Sequence, residues 1–359
     1  MDGDSNYAKF QNPASPYGAS KDPGDGYAPY QSPSSSGGGG TPSPATQVSP
    51  TLETQPADAG AKQKQPANPV AGFGNGINLQ PSYDFGGDVD LGWSFLKNST
   101  KVKTVRVEIE PDRVTQAKRW IAEAIGQGYA VIATYHKSGV LGTDVDNELQ
   151  LAADWWVKYY KALAGSGYFT VNLMNEWGSH TIAASKFATS YNTAIAKVRA
   201  VYSGPIIVDL PGWGQETSIA ADAVSGKGGG TKISDPNIIL SAHLYPEAWN
   251  QTAQRGVNTA DLDAIAATRR PCMIGEFGDS KKKQDTDWGA LVNYAKTLNW
   301  PVLGWAFNGD STPNPMNMII QVTPLMDNGR KPNFLPFVKG KPRKEYQLTP
   351  YFQTIDSYL

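Results

Sequence analysis

Eight short apolar runs, separated by longer amphipathic segments, constrain this chain more than any other feature. The runs are 74–79, 104–109, 130–135, 169–174, 206–210, 238–243, 272–277 and 302–307. Each is short and bounded by turn residues, the pattern of a strand covered on both faces. Six of the intervals read as helices, at 113–126, 146–164, 181–202, 216–224, 259–269 and 285–298. In the second of these, Leu149, Ala152, Ala153, Trp156, Tyr160 and Leu163 recur at helical spacing. Strand and helix alternating over roughly 280 residues predict an α/β fold, a (β/α)8 TIM barrel. The rival, a doubly wound open sheet, wants a Gly-rich phosphate turn after an early strand, and none follows 104–109 or 130–135.

A barrel gathers its reactive groups at the C-terminal ends of its strands. Reading along those ends gives Arg106 on the second strand and His136 just past the third. Asn175 and Glu176 follow the fourth, and Trp213 follows the fifth. His243 and Tyr245 close the sixth, Glu276 lies on the seventh and Trp305 on the eighth. A core without a site would not collect polar and aromatic residues so regularly at one end.

The fourth run, YFTVNLMNEWG, stops on Asn175, Glu176 and Trp177, and the seventh, PCMIGEFG, stops on Glu276. A carboxylate at the end of a buried strand is costly to place and marks chemistry. Strands four and seven face each other across a barrel mouth, and a pair of carboxyls is what glycosidic bond cleavage requires. Glu176 is the expected acid/base, with its pKa raised by Trp177 and the second carboxylate. Glu276 is the expected nucleophile, kept ionised by Arg106 and hydrogen-bonded by Tyr245. Asn175 is placed to bond a sugar 2-hydroxyl, and Trp305 to stack on the sugar beside the cleavage point. His136 and His243 are read as substrate contacts or carboxylate positioners, since no ligand-spacing motif makes them a metal site. His180 is expected to be solvated, and Lys281 to Lys283 to form an exposed face.

The remaining numbers limit the context. The chain has 359 residues and a formal net charge of −1, which implies no general attraction to nucleic acid or anionic membrane. No apolar run reaches the roughly 18 residues of a membrane span. The single cysteine, Cys272, lies in an apolar strand and reads as a buried structural thiol. Ten tryptophans and seventeen tyrosines suit a sugar-binding cleft, although they are equally ordinary core material. Residues 1–68 are dominated by Gly, Pro, Ser, Ala and Gln and are expected to form a disordered tail or linker. The folded domain then spans 69–359, with a basic, proline-rich extension at 329–350 that either wraps the barrel bottom or caps the cleft. The start, MDGDSNYAKF, lacks the basic and apolar regions of a signal peptide. The triplets at Asn98 and Asn250 favour a secretory route.

The ordered set NLMNEWG, SAHLY, IGEFG and GWAFNGD resembles glycoside hydrolase family 5, the cellulase and mannanase family of the retaining (β/α)8 clan. The resemblance runs from about Gly76 to Ile320. It is most detailed toward the bacterial-type β-1,4-mannanases, through 147–179, IIVDLPGWGQ at 206–215 and ISDPNIILSAHLY at 233–245. It implies Glu176 as acid/base and Glu276 as nucleophile. It also implies Arg106, His136, Asn175, His243, Tyr245 and Trp305 as the remaining site residues, with Trp213 as a cleft aromatic. Two ends depart from the family pattern: TYHKSG has no acidic residue after the histidine, and WAFNGD lacks a second Trp or Ser. The expectation is a cofactor-free, monomeric, extracellular endo-β-1,4-mannanase acting on polysaccharide. Endo-β-1,4-glucanase is the alternative, followed by a non-catalytic carbohydrate-binding barrel; no partner motif in the tail supports a scaffold.

Overall fold

The computed structural model describes residues 72–97, 99–145, 147–227, 229–310, 316–321, 334–341 and 345–359. The expected 1–68 tail, Asn98 and residues 329–333 and 342–344 of the extension lie outside the described residues.

The eight apolar runs form eight strands: β1 (Gly76–Leu79), β2 (Thr104–Ile109), β3 (Ala130–Tyr135), β4 (Thr170–Asn172), β5 (Ile206–Asp209), β6 (Ile238–Leu244), β7 (Cys272–Phe277) and β8 (Val302–Asn308). They close into one parallel barrel in which each strand pairs with its neighbours in the chain and β8 pairs with β1. The fold is therefore a TIM barrel. Strand β4 is shorter than its apolar run, yet pairing continues beyond it. Leu173 donates to Ile207 O at 3.1 Å and Asn175 to Tyr135 O at 2.8 Å, so Asn175 is delivered to the mouth by the ladder itself.

Helices α1 (Val114–Gly126), α2 (Glu148–Leu163), α3 (Ala184–Val198), α4 (Thr217–Ser225), α5 (Thr259–Ala266) and α6 (Trp288–Thr297) lie between the strands. Their buried residues follow the helical period, as with Ala117, Trp120, Ile121 and Ala124 in α1. In α2 the stripe is shifted slightly from expectation: Trp155 is buried while Tyr160 is only half-buried. Local chemistry fixes the ends. Asn258 and Asp261 form a capping box on α5, and Asp287 accepts from Ala290 N on α6.

A last helix, α7 (Pro350–Tyr358), was not expected from the sequence. It starts on proline and buries Tyr351 and Ile355 one turn apart. Tyr351 Oη donates to Trp305 O at 2.8 Å, and Asn75 Nδ2 donates to Leu359 O at 2.8 Å. The helix thus runs antiparallel to β8 and supplies its outer cover. Of the 329–350 extension, residues 335–337 follow the connection after β1, while Tyr346–Leu348 pairs antiparallel with Ile319–Gln321. Asp90 N donates to Leu335 O and Phe337 N donates to Asp88 O, both at 3.0 Å, and the Arg119 guanidinium sits 4.2 Å over the Phe337 ring.

Inside the barrel, Ile132, Ile207, Ile239, Met273 and Leu303 form an apolar floor with Phe73 packed against it. Above them the inward positions become polar: Asn78, Arg106, Thr134, Asn172, Asp209, His243 and Glu276, every one of them buried. This change from apolar floor to polar mouth makes one end of the barrel reactive. Cys272 is buried, as expected. Asn250 is also fully buried and donates to Asp261 at 2.8 Å, so its triplet offers no acceptor for glycosylation in the folded chain. Among the described residues, no helix is long and apolar enough to cross a membrane.

Candidate active site

Arg106 is the hub of the mouth. It is fully buried on β2, and its five N–H groups face six oxygens. Nε donates to Asn172 at 3.0 Å. Nη1 faces Asn78 at 3.0 Å, Glu108 at 2.6 Å and Glu276 at 2.8 Å. Nη2 faces Asn175 at 2.5 Å and Asp209 at 3.2 Å. A planar donor fork held by partners from β1, β2, β5, β7 and the β4 end has little freedom to move.

Glu276 ends β7 beside this guanidinium. Its other oxygen accepts from Tyr245 Oη at 2.7 Å. Burial pushes its pKa up, but His243, Arg106 and the Tyr245 hydroxyl more than offset this, and the carboxyl ends below its ordinary value. Glu176 lies across the mouth in the left-handed region, with φ 49°. Its backbone N–H donates to Asp209 at 3.2 Å and its carbonyl accepts from Gly142 at 2.8 Å, a clamp that holds the strained residue in place. Burial and then the Glu276 charge raise its pKa, against the opposing pull of His243. One carboxylate oxygen from each glutamate and a ring nitrogen of His243 lie within 4.8 Å of one another. Those three side chains are the described group with donors close enough for a metal ion. Arg106 already supplies a cation against Glu276 at 2.8 Å, and the geometry is that of a carboxylate pair.

His243 touches both carboxyls, at 2.8 Å from Glu176 and 3.5 Å from Glu276, with Asp209 at 3.7 Å on its other side. Burial alone would keep the ring neutral, but Glu276 and Asp209 raise its pKa well above the ordinary value. Gly214 is packed against it. Its φ is +77°, and a Cβ there would lie 2.5 Å from His243 Cγ. Gly214→Ala is therefore expected to lose about 1–3 kcal/mol of stability and to displace the imidazole; an unchanged urea midpoint would contradict this.

His136 stands apart from His243. It bridges two carboxylates, with Nδ1 at 2.9 Å from Glu110 and Nε2 at 3.4 Å from Glu108. Burial lowers its pKa, but these carboxylates outweigh it and push it up to about 9. Trp213 is half-buried in the turn Pro211–Gly214 and also has positive φ, 61°. Its indole covers Gly142, where a Cβ would come within 2.3 Å of the ring, and Gly142 is bonded to Glu176. Trp305 is only 3% exposed, which leaves little ring face for the stacking expected of it. His180 is not freely solvated: Nδ1 lies 2.7 Å from Glu216, a buried carboxylate that also accepts from Gln251 N at 2.6 Å. Lys281, Lys282 and Lys283 are exposed and pair with Asp279, Glu247 and Asp285.

Sequence reasoning missed Glu108, Glu110 and Asp209. Glu108 is fully buried, two residues beyond Arg106 on β2, and accepts from Gln80 Nε2 at 2.9 Å. Burial, set against His136 and Arg106, leaves its pKa pushed up to about 8. Asp209 is also fully buried, and its pKa stays below the ordinary value because His243 and Arg106 outweigh burial. The available signal was a period of two: Arg106 and Glu108 on one face of β2, and Asp209 in phase with Ile207 on β5.

No protein-family model matches the chain. A mannan endo-1,4-beta-mannosidase of Streptomyces lividans is 32% identical over 183 residues, which is 49% of this chain and 45% of that protein. A beta-mannanase/endoglucanase A of Caldicellulosiruptor saccharolyticus is 28% identical over 195 residues, 51% of this chain and 14% of that protein. The chain thus spans less than half the length of these curated relatives. Among solved structures, the catalytic domain of the mannanase from Streptomyces sp. SirexAA-E aligns with a TM-score of 0.56 at 22% identity, covering 79% of this chain and 84% of that one. That likeness is one of fold.

Proposed function

We propose that this protein is a retaining, endo-acting glycoside hydrolase of the family 5 type that cleaves β-1,4-linked mannan. One observation carries the reading: two buried carboxyls lie with oxygens within 4.8 Å of each other and with pKa values displaced in opposite directions. A separation near 5 Å suits direct attack on the anomeric carbon, whereas inversion needs about 6.5–9.5 Å to admit a water. Glu276, ionised, attacks the anomeric carbon as the glycosidic C–O bond breaks, and Glu176 gives its proton to the departing oxygen. Glu176, now ionised, takes a proton from water as that water displaces Glu276. No cofactor enters this sequence.

Arg106 and Tyr245 hold Glu276, and His243 holds Glu176. Asn175 Oδ1 accepts from Arg106, which leaves its amide N–H groups for a sugar hydroxyl. Trp213 forms a wall of the cleft, while His136 and Trp305 border it. Mannan as substrate is supported by the names of both curated relatives, and glucan, the second reading, by one of them. The proposal includes action as a monomer outside the cell, where a polymeric substrate is met.

Reducing-sugar release by the purified full chain from galactomannan, glucomannan and carboxymethyl-cellulose tests the substrate. Release from the mannans alone is expected, while release chiefly from the cellulose derivative would move the assignment to glucan. The kcat/KM profile should be bell-shaped. Glu276 must be ionised, so activity falls as pH drops through its depressed pKa; Glu176 must be protonated, so activity falls as pH rises through its raised one. A product whose first-formed anomer is inverted would refute the mechanism.

A further inference from the structure

Glu108 is a third buried carboxyl at the mouth that the proposed reaction does not use. On Arg106 Nη1, two hydrogens face three oxygens, those of Asn78, Glu108 and Glu276. The remaining N–H groups are matched one to one by Asn172, Asn175 and Asp209. Nη1 is therefore one hydrogen short for these three oxygens, and of the three groups only the two carboxyls can carry a proton that makes it up. The groups facing Glu108 are Gln80 and Tyr83 after β1, Arg106 on its own strand, His136 after β3 and Glu276 on β7.

We propose that Glu108 is a positioning residue that carries a proton and donates it to the Glu276 carboxylate, fixing the nucleophile jointly with Arg106. The role rests on the reading of Glu276 given above. Charge balance supports it. Arg106, His243 and His136 are three buried or nearly buried cations, His136 being held by ionised Glu110 at 2.9 Å without needing a charge on Glu108, and Glu110, Asp209 and Glu276 are three carboxylates with lowered pKa values. The cluster is neutral when Glu176 and Glu108 both hold protons. It stays neutral in the glycosyl-enzyme, because Glu276 loses its charge to the new C–O bond as Glu176 gains one by releasing its proton. A fourth carboxylate at Glu108 would break that balance in both states, against a large desolvation cost. The upward displacement of its pKa agrees with this geometry.

Two measurements decide the proposal. In the first, kcat/KM is followed against pH. Glu108→Ala should lose about 100-fold, while Glu108→Gln, whose amide N–H can replace the donor, should lose about tenfold or less. The acid limb of Glu108→Gln should coincide with that of the parent chain, because a neutral group replaces a neutral group. If Glu108 is instead an anion, its removal lowers the pKa of Glu276 and moves the limb down by about one unit or more, which would overturn the proposal.

The second measurement, an infrared titration, needs no hydrolysis. Among the described carboxyls, Asp84, Glu108 and Glu176 have raised pKa values. A chain carrying Asp84→Asn and Glu176→Gln should keep one protonated-carboxyl carbonyl band that disappears as pH rises through about 8. This holds whether or not Glu108→Gln folds. Absence of the band would overturn the proton on Glu108 even with hydrolysis by the parent chain intact. Absence of hydrolysis by the parent chain, with the band present in the doubly substituted one, would instead fail the reading of Glu276 as nucleophile, and the positioning role with it.

Discussion

Replacing Glu276 by alanine is expected to reduce turnover on every polysaccharide substrate by about 10⁴-fold or more, because no other described group stands where it can attack the anomeric carbon. Glu176→Ala should behave differently. Loss of a general acid costs about 10²–10⁴-fold, but the loss depends on how much the departing oxygen needs a proton. Aryl glycosides whose leaving group is already a stable anion should therefore recover a fast first step in Glu176→Ala and none in Glu276→Ala. Stopped-flow release of the aryl group reads this directly. Equal losses on polymer and activated substrate in both variants would mean that the two carboxyls do not have these separate roles. Retained polymer cleavage in either variant would place the chemistry elsewhere.

Arg106→Met should be the most damaging substitution for the fold near the site. Removing one partner from a buried ion pair costs about 3–5 kcal/mol, and here the lost guanidinium serves Glu276 and Asp209 together. Urea denaturation monitored by tryptophan fluorescence should show that loss as a lower midpoint with an unchanged slope. Where the variant folds, Glu276 loses a cation that depresses its pKa, so the nucleophile becomes protonated over a wider acidic range. The acid limb of kcat/KM should move to higher pH by about 1–3 units. Arg106→Lys should not restore it, since one ammonium with three donors cannot meet six oxygens on five elements. A lysine variant with parental stability and profile would show that only the charge matters at this position.

Much of the architecture was legible because a parallel barrel strand is covered on both faces. The eight runs therefore stood out as uninterrupted apolar stretches, and all eight became barrel strands. Helices α1 to α6 were legible through the 3.6-residue recurrence of their buried faces. Helix α7 was not, because nine residues with two buried anchors, Tyr351 and Ile355, give too little pattern to read. Glu176 and Glu276 were conspicuous because each ends an apolar run. Glu108 and Asp209 are just as buried, but only their period-two phase with Arg106 and Ile207 marks them in the sequence.

Taken alone, the sequence determined that Arg106, Asn175, Glu176, His243, Tyr245 and Glu276 reach the mouth, because strand ends are local features and a β-strand alternates its side chains with a period of two. Only the tertiary structure decided which of them touch and what charge each carries. Arg106 meets Glu276 across 170 positions of sequence, and Glu176 meets His243 across 67. A carboxyl's pKa is set by burial and by the charges within a few ångströms of it. Three buried glutamates of one chemical kind therefore separate, one with a lowered pKa and two with raised ones, through neighbours that closure of the barrel brings together.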